Sequence, residues 1–271
     1  MPEAALQIAL AVDDRTPDWE RCVKVLDRDV TPEDLCHLGP KNGAAPRFLV
    51  WGDSHALALF PAVDAAATET GIVGLHASLY QCPPVPGIDV NASGIDCSGF
   101  NRRISDLIDS EQFEVVILAA HWSNYLEPTL VRLPDGFAVG RSSEFFREKL
   151  EASIQRLTSK GIAVFVVDEV PYTKNFRPEQ FARAVWWGRS TDEARITVAD
   201  YESRLQPFWS ALNGSRFERI SLVKYLCVDG SFCPAIMDGW SNYFDDNHLS
   251  THGSTRLTPA FVDALQGIRS K

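Results

Sequence analysis

The chain has 271 residues, 45% of them hydrophobic and 10% aromatic, with a formal net charge of −10. That apolar content is ample for a large core and excludes global disorder, and no run approaches the ~18 apolar residues of a membrane span. The acidic balance argues against nucleic acid or an anionic membrane as the main partner.

Residues 1–46 read as an N-terminal extension or linker, rich in Asp, Pro and charge. A short helix is expected at 19–27, a turn or helix start at Thr31-Pro32-Glu33-Asp34, and a linker at 39–46. Residues 1–12 lack a basic n-region and include Glu3, so they do not read as a signal peptide. From Arg47 onward, strand and helix patterns alternate. Residues 47–51 are an apolar strand that runs into Gly52-Asp53-Ser54-His55, and 54–70 read as a helix ended by Gly71. A strand is expected at 72–79, a Pro- and Gly-rich loop at 80–96, and a helix at 100–110.

Residues 113–120 form a near-continuous apolar run, the mark of a buried parallel strand, that ends in His121-Trp122-Ser123-Asn124-Tyr125. Residues 126–141 read as irregular, 143–160 as an amphipathic helix and 162–167 as another buried strand. Helices follow at 177–188 and 192–212, a strand at 217–223, loops at 227–233 and 238–247, and a last helix from about Ser254, broken in its first turn at Pro259. Strands alternating with helices predict a parallel α/β sheet with helices on both faces, in one domain over 47–271.

Six cysteines fall as sequence-local pairs, Cys22/Cys36, Cys82/Cys97 and Cys227/Cys233, with no C-x-x-C. Locality favours three disulfides of an oxidising compartment over six buried thiols. Such cysteines without an export signal point to the soluble part of a longer, membrane-anchored protein.

Ser54 stands at a switch from strand to helix. In open α/β sheets, active sites form at that carboxyl edge. A serine nucleophile needs a base within hydrogen-bond reach and a third group to orient the base. Of the six histidines, His248 is best placed, because Asp245 three residues before it can turn its carboxylate onto the imidazole. Ser54, His248 and Asp245 are therefore the candidates for nucleophile, base and orienter.

Gly52-Asp53-Ser54-His55 and Asp245-x-x-His248 resemble the first and last blocks of the SGNH (GDSL-like) hydrolase superfamily. With His55, Trp122-Ser123 and the paired cysteines, the chain is similar to the periplasmic SGNH domain fused to the membrane acyltransferase family 3 domain of bacterial polysaccharide O-acetyltransferases. The resemblance implies a three-layer α/β/α sandwich with a mostly parallel sheet behind a short disulfide-tied extension. It implies an acetyl ester on Ser54, a glycan hydroxyl as acceptor, a fused membrane domain that supplies acetyl, a periplasmic location, and no cofactor or metal.

The superfamily's third block, G-x-N-D, is replaced by Ala119-Ala120-His121-Trp122. The Ser54 N–H is then one oxyanion donor, with Trp122 and Asn124 as candidates for another or for shaping the pocket. Gly74, Gly87 and Gly94 compete for the second-block glycine, with Gly87 among the oxyanion and substrate candidates. His55 and His121 are candidates to touch substrate, and Trp186, Trp187 and Trp240 to stack on sugar. Three other readings remain: an acetyl esterase of the same fold; a metal-dependent phosphoesterase that uses Asp53, His55, Asp245 and His248 as ligands; and a non-catalytic glycan-binding domain.

Overall fold

The structure, a computed structural model, describes residues 1–23, 29–90, 94–127, 131–132 and 142–269. Its strands are β1 (Cys36–Leu38), β2 (Phe48–Gly52), β3 (Gly74–Ser78), β4 (Asp89–Val90), β5 (Val115–Ala119), β6 (Val131–Arg132), β7 (Ala163–Val167), β8 (Arg195–Thr197), β9 (Glu218–Ile220), β10 (Phe232–Pro234), β11 (Ile236–Met237) and β12 (Trp240–Ser241). Its helices are α1 (Glu3–Leu10), α2 (Trp19–Cys22), α3 (Ser54–Ala58), α4 (Phe60–Thr70), α5 (Cys97–Ser110), α6 (Trp122–Tyr125), α7 (Ser142–Ser159), α8 (Pro178–Trp186), α9 (Val198–Ala211), α10 (Val223–Leu226), α11 (Thr251–Thr255) and α12 (Thr258–Arg269).

The central sheet has the order β1-β3-β2-β5-β7-β9. Every neighbour is parallel except β1, which runs antiparallel to β3. Strand β2 is buried along its whole length, and its side chains alternate between two cores. Phe48 and Val50 face Ala62, Val63, Phe261 and Leu265 from α4 and α12. Leu49 and Trp51 face Ile104, Leu107, Phe146 and Leu150 from α5 and α7. Covering both faces is why these strands are apolar at nearly every position rather than at every second one. The one polar atom of Trp51 is satisfied, because its indole N–H donates to Asn101 Oδ1 at 3.0 Å.

Several elements differ from the sequence expectation. Residues 54–70 form two helices, because Pro61 lies in the first turn of α4 and cannot donate into the preceding turn. Residues 195–197, read as helix, are strand β8, paired with β10 beside the Cys227–Cys233 bridge. The last helix is also two, α11 and α12. Helix α1 and strand β1, neither of them expected, lie within residues 1–46, so that segment adds a strand to the sheet. Of the helix read at 19–27, residues 24–27 lie outside the described residues, as do 128–130 and 133–141 of the irregular stretch. The cysteines pair as Cys22–Cys36, Cys82–Cys97 and Cys227–Cys233. Among the described residues no helix is long and apolar enough to cross a membrane.

Candidate active site

Strand β2 lies between β3 and β5, so the chain leaves its carboxyl end where the sheet's winding direction changes. Gly52 closes the strand there. A Cβ on it would sit 1.8 Å from Ala119 O on β5, so only glycine allows this approach. Asp53 follows as the N-cap of α3. Its Oδ1 accepts from His55 N at 2.8 Å, and its Oδ2 from His121 N at 3.0 Å and Tyr125 Oη at 2.7 Å. Burial raises the Asp53 carboxyl, against the pull of these donors. Asp53 thus ties the turn after β2 to the turn after β5, and Ser54 is set at the first position of α3. The N–H there has no acceptor within the helix.

The second half comes from the loop between β12 and α11. Tyr243 and Leu249 form an antiparallel bridge, and Phe244 N donates to His248 O at 3.1 Å, which closes the loop at its base. Asp245 Oδ1 accepts from the backbone N–H of Asn247 at 2.9 Å and of His248 at 2.7 Å. This is a local side-chain-to-backbone turn of the kind Asp favours. It leaves Asp245 Oδ2 aimed at His248 Nδ1, 2.7 Å away. His248 Nε2 then lies 2.8 Å from Ser54 Oγ.

Ser54, His248 and Asp245 therefore form one hydrogen-bonded chain from residues up to 194 positions apart. Burial pushes the Asp245 carboxyl up, but the His248 ring and the two backbone donors outweigh it and hold the group below its ordinary value. An ionised Asp245 keeps the proton of His248 on Nδ1 and leaves Nε2 to accept from Ser54. The His248 ring is clamped by Phe244, stacked at 5.4 Å, and by Trp19, edge-on at 5.7 Å.

A cleft of about 490 Å³ opens over Ser54 and His248, walled by Trp19, Tyr80, Gln81, Ile95 and Asn124. A hollow of the same volume at the other end of the strands, lined by Gly161, Ala163, Arg216 and Glu218, holds no histidine. Asn124 lines the cleft and is exposed to it. Trp122 does not: its indole N–H donates to Val167 O at 2.8 Å and its ring stacks on Phe208 at 4.7 Å, so it belongs to the core. Gly87 lies on the loop after β3, outside the cleft wall, where a Cβ would meet nothing within 4 Å. Gly74 is inside β3 against the Phe48 ring, and Gly94 is likewise not part of the wall.

His55 and His121 also line the cleft, His55 almost wholly buried, with their ring centroids 4.4 Å apart. Burial lowers His121 to about 4 and His55 well below its ordinary value. Trp186, Trp187 and Trp240 are exposed but stand away from the cleft. Among the described residues no group of three or more His, Cys, Asp or Glu side chains is placed to hold a metal ion.

Sequence reasoning missed Trp19, Tyr80 and Gln81. Trp19 is carried by α2, which the Cys22–Cys36 bridge fastens to β1; a tryptophan three residues before a bridged cysteine was the available signal. Gln81 adopts a left-handed conformation, φ 58°, beside the bridged Cys82 at the turn after β3. Behind the site, the buried Glu169 accepts from Ser123 N at 2.7 Å and Ser123 Oγ at 2.9 Å and pairs with Arg204 at 3.4 Å. This network holds the turn that carries His121 and Asn124.

The family of SGNH domains fused to AT3 domains matches residues 21–263. The periplasmic domain of a lipopolysaccharide acetyltransferase from Salmonella ser. Paratyphi A superposes with a TM-score of 0.57 at 17% identity, covering 84% of this chain and 85% of that one. A protein from Streptococcus pneumonia described as a putative platelet activating factor gives 0.49 at 14% identity, covering 83% and 86%. No curated protein matches. The match over nearly the whole chain, on a sheet covered by helices on both faces with Gly52-Asp53-Ser54 at its switch point and Asp245 and His248 facing it, shows that the chain belongs to the family of SGNH domains fused to AT3 domains.

Proposed function

We propose that this chain is an O-acetyltransferase domain that moves an acetyl group through an ester on Ser54 to a hydroxyl of a bacterial surface polysaccharide. The observation that carries the reading is the hydrogen-bonded chain Asp245–His248–Ser54, with contacts of 2.7 and 2.8 Å. In the first half-reaction His248 Nε2 takes the Ser54 proton as Oγ attacks the acetyl carbonyl. The oxyanion is met by the Ser54 backbone N–H and the Asn124 side chain, and the leaving group departs with the proton from His248. In the second, a sugar hydroxyl gives its proton to His248, attacks the acetyl-serine, and releases Ser54. Membership of a family fused to AT3 domains supports a membrane partner as the source of acetyl and a periplasmic site of action. The likeness to a lipopolysaccharide acetyltransferase domain agrees with a glycan acceptor.

The test uses p-nitrophenyl acetate as donor and mass spectrometry of the protein. A 42 Da adduct on the Ser54 peptide, absent from Ser54→Ala, is expected. Asn124→Ala should lower turnover about 10²–10³-fold, the usual cost of an oxyanion donor. Ester turnover by Ser54→Ala at the wild-type rate would sink the proposal. Acetate release with no acetyl on a polysaccharide supplied with it would favour the esterase alternative.

A further inference from the structure

His55 follows Ser54 directly, yet the hydrogen-bonded chain does not use it. Its residue is 4% exposed, and its ring is tilted against His248 at 4.7 Å and against His121 at 4.4 Å. Both ring nitrogens are buried without a full hydrogen bond, and so is Asn247 Oδ1. The two residues are complementary. A neutral imidazole keeps one N–H donor, whereas Asn247 has already committed its other groups: Nδ2 donates to Asp246 Oδ1 at 3.1 Å and its backbone N–H to Asp245 Oδ1 at 2.9 Å. Both residues line the Ser54 cleft, His55 from the turn after β2 and Asn247 from the loop of His248, so a buried donor and a buried acceptor, each without a partner, belong to one wall. Leaving either orphan unpaired in the interior is costly, so each is the other's natural partner.

We infer that His55 is a positioning residue that acts through Asn247 to hold the loop bearing Asp245 and His248 against the turn bearing Ser54. The inference rests on the acyl-serine reading above. Covalently, His55 belongs to the nucleophile's turn and Asn247 to the base's loop, so a bond between them would span the same gap as the 2.8 Å Ser54–His248 bond, beside which the His55 ring already packs on His248 at 4.7 Å. The charge state fits this role. His121 from the turn after β5 and His248 from its loop pack against the ring, and these together with Arg204 on α9 oppose a charge on His55. A neutral His55 does not resist the positive charge that His248 acquires when it takes the Ser54 proton.

The experiment follows p-nitrophenyl acetate turnover, with fluorophosphonate labelling of Ser54 as an independent readout of the nucleophile. His55→Leu fills the space without a donor, His55→Gln keeps an N–H, and Asn247→Ala removes the acceptor. We expect His55→Leu and Asn247→Ala each to lower kcat about tenfold with KM within about twofold. The double variant should be no worse than either single one, and His55→Gln should recover to within about threefold of wild type. Asn247→Asp supplies a carboxylate beside two imidazoles and should move the acid limb of the kcat/KM–pH profile upward. Independent losses in the double variant, His55→Gln as poor as His55→Leu, or an unmoved acid limb would each overturn the inference. If the Leu variant does not fold, the Asn247→Asp profile decides. Failure of the parent reading looks different: wild type unlabelled at Ser54, which removes both.

Discussion

At the scale of single residues, two positions carry demands that no substitute meets. Asp245 serves the loop and the imidazole with separate oxygens, Oδ1 to two backbone N–H groups and Oδ2 to His248 Nδ1. Asparagine in its place can keep the backbone bonds with its carbonyl, but it then turns an NH₂ toward Nδ1. The imidazole would shift its proton to Nε2 and could no longer accept from Ser54. Asp245→Asn should therefore lower kcat by about 10³–10⁴ with little change in melting temperature. A loss under tenfold in an aryl-acetate assay would show that His248 does not depend on this carboxylate. Gly52 is the other position. Alanine there would force β2 and β5 apart beside Asp53, since the added carbon meets backbone rather than a flexible side chain. Gly52→Ala should cost more than about 3 kcal/mol in chemical denaturation, and a fully stable variant would refute the close approach.

At the scale of elements, the segment ahead of the main run of strands and helices is part of the site. Asp14 receives the backbone N–H of Thr251 at 2.7 Å through its carbonyl and that of His252 at 3.1 Å through Oδ2, at the start of α11. Helix α2 puts Trp19 against His248, and the Cys22–Cys36 bridge fastens α2 to β1. Replacing both cysteines with serine should cost about 3 kcal/mol, as expected for a loop of this length. It should also lower ester turnover, whereas the same change at Cys227 and Cys233, away from the cleft, should leave the rate per folded molecule unchanged. Equal effects from the two pairs would mean that the first bridge does not hold the cleft wall. These contacts explain what the sequence could and could not reveal. Strands β2, β5 and β7 were legible because burial on both faces leaves a continuous apolar run. Asp245 and His248 were legible as a pair because they are three residues apart. Strand β1 is only three residues long with His37 exposed, so it has no pattern to read. The wall made by Trp19, and the left-handed Gln81, depend on tertiary contacts that no local period encodes.

At the scale of the whole molecule, three histidines sit where desolvation keeps them uncharged: His55 and His76 are buried, and His121 is half-buried on the cleft wall. Burial lowers His76 to about 4, against the bond in which its Nε2–H donates to Ala56 O at 3.1 Å. His121 also falls to about 4, and His55 well below its ordinary value, mainly by burial. A histidine with a depressed folded pKa binds fewer protons in the native state than in the unfolded chain at every pH between the two values. Its contribution is thus fully present above the unfolded value near 6.5 and is lost as pH falls from there toward about 4. At pH 5, His76 and His121 should each weaken the fold by about 2 kcal/mol relative to pH 8, with His55 adding in the same direction. Together that is a large share of the ~5–15 kcal/mol that stabilises a typical domain. Asp245, held below its ordinary value, acts with the same sign but only as pH drops below about 4. Burial raises Asp53, Asp168 and Glu169, which act with the opposite sign and offset part of this loss; the melting temperature should still fall between pH 8 and pH 5, by less than the histidines alone would give, and the unfolding midpoint in urea should fall with it. His76 is the position that isolates the cause, since it sits in β3 away from the Ser54 cleft. Glutamine there can still donate to Ala56 O but does not titrate. His76→Gln should start less stable at pH 8 and lose visibly less on acidification than the wild type. If its stability falls with pH as steeply as that of the parent, the buried histidines are not what makes the fold acid-sensitive.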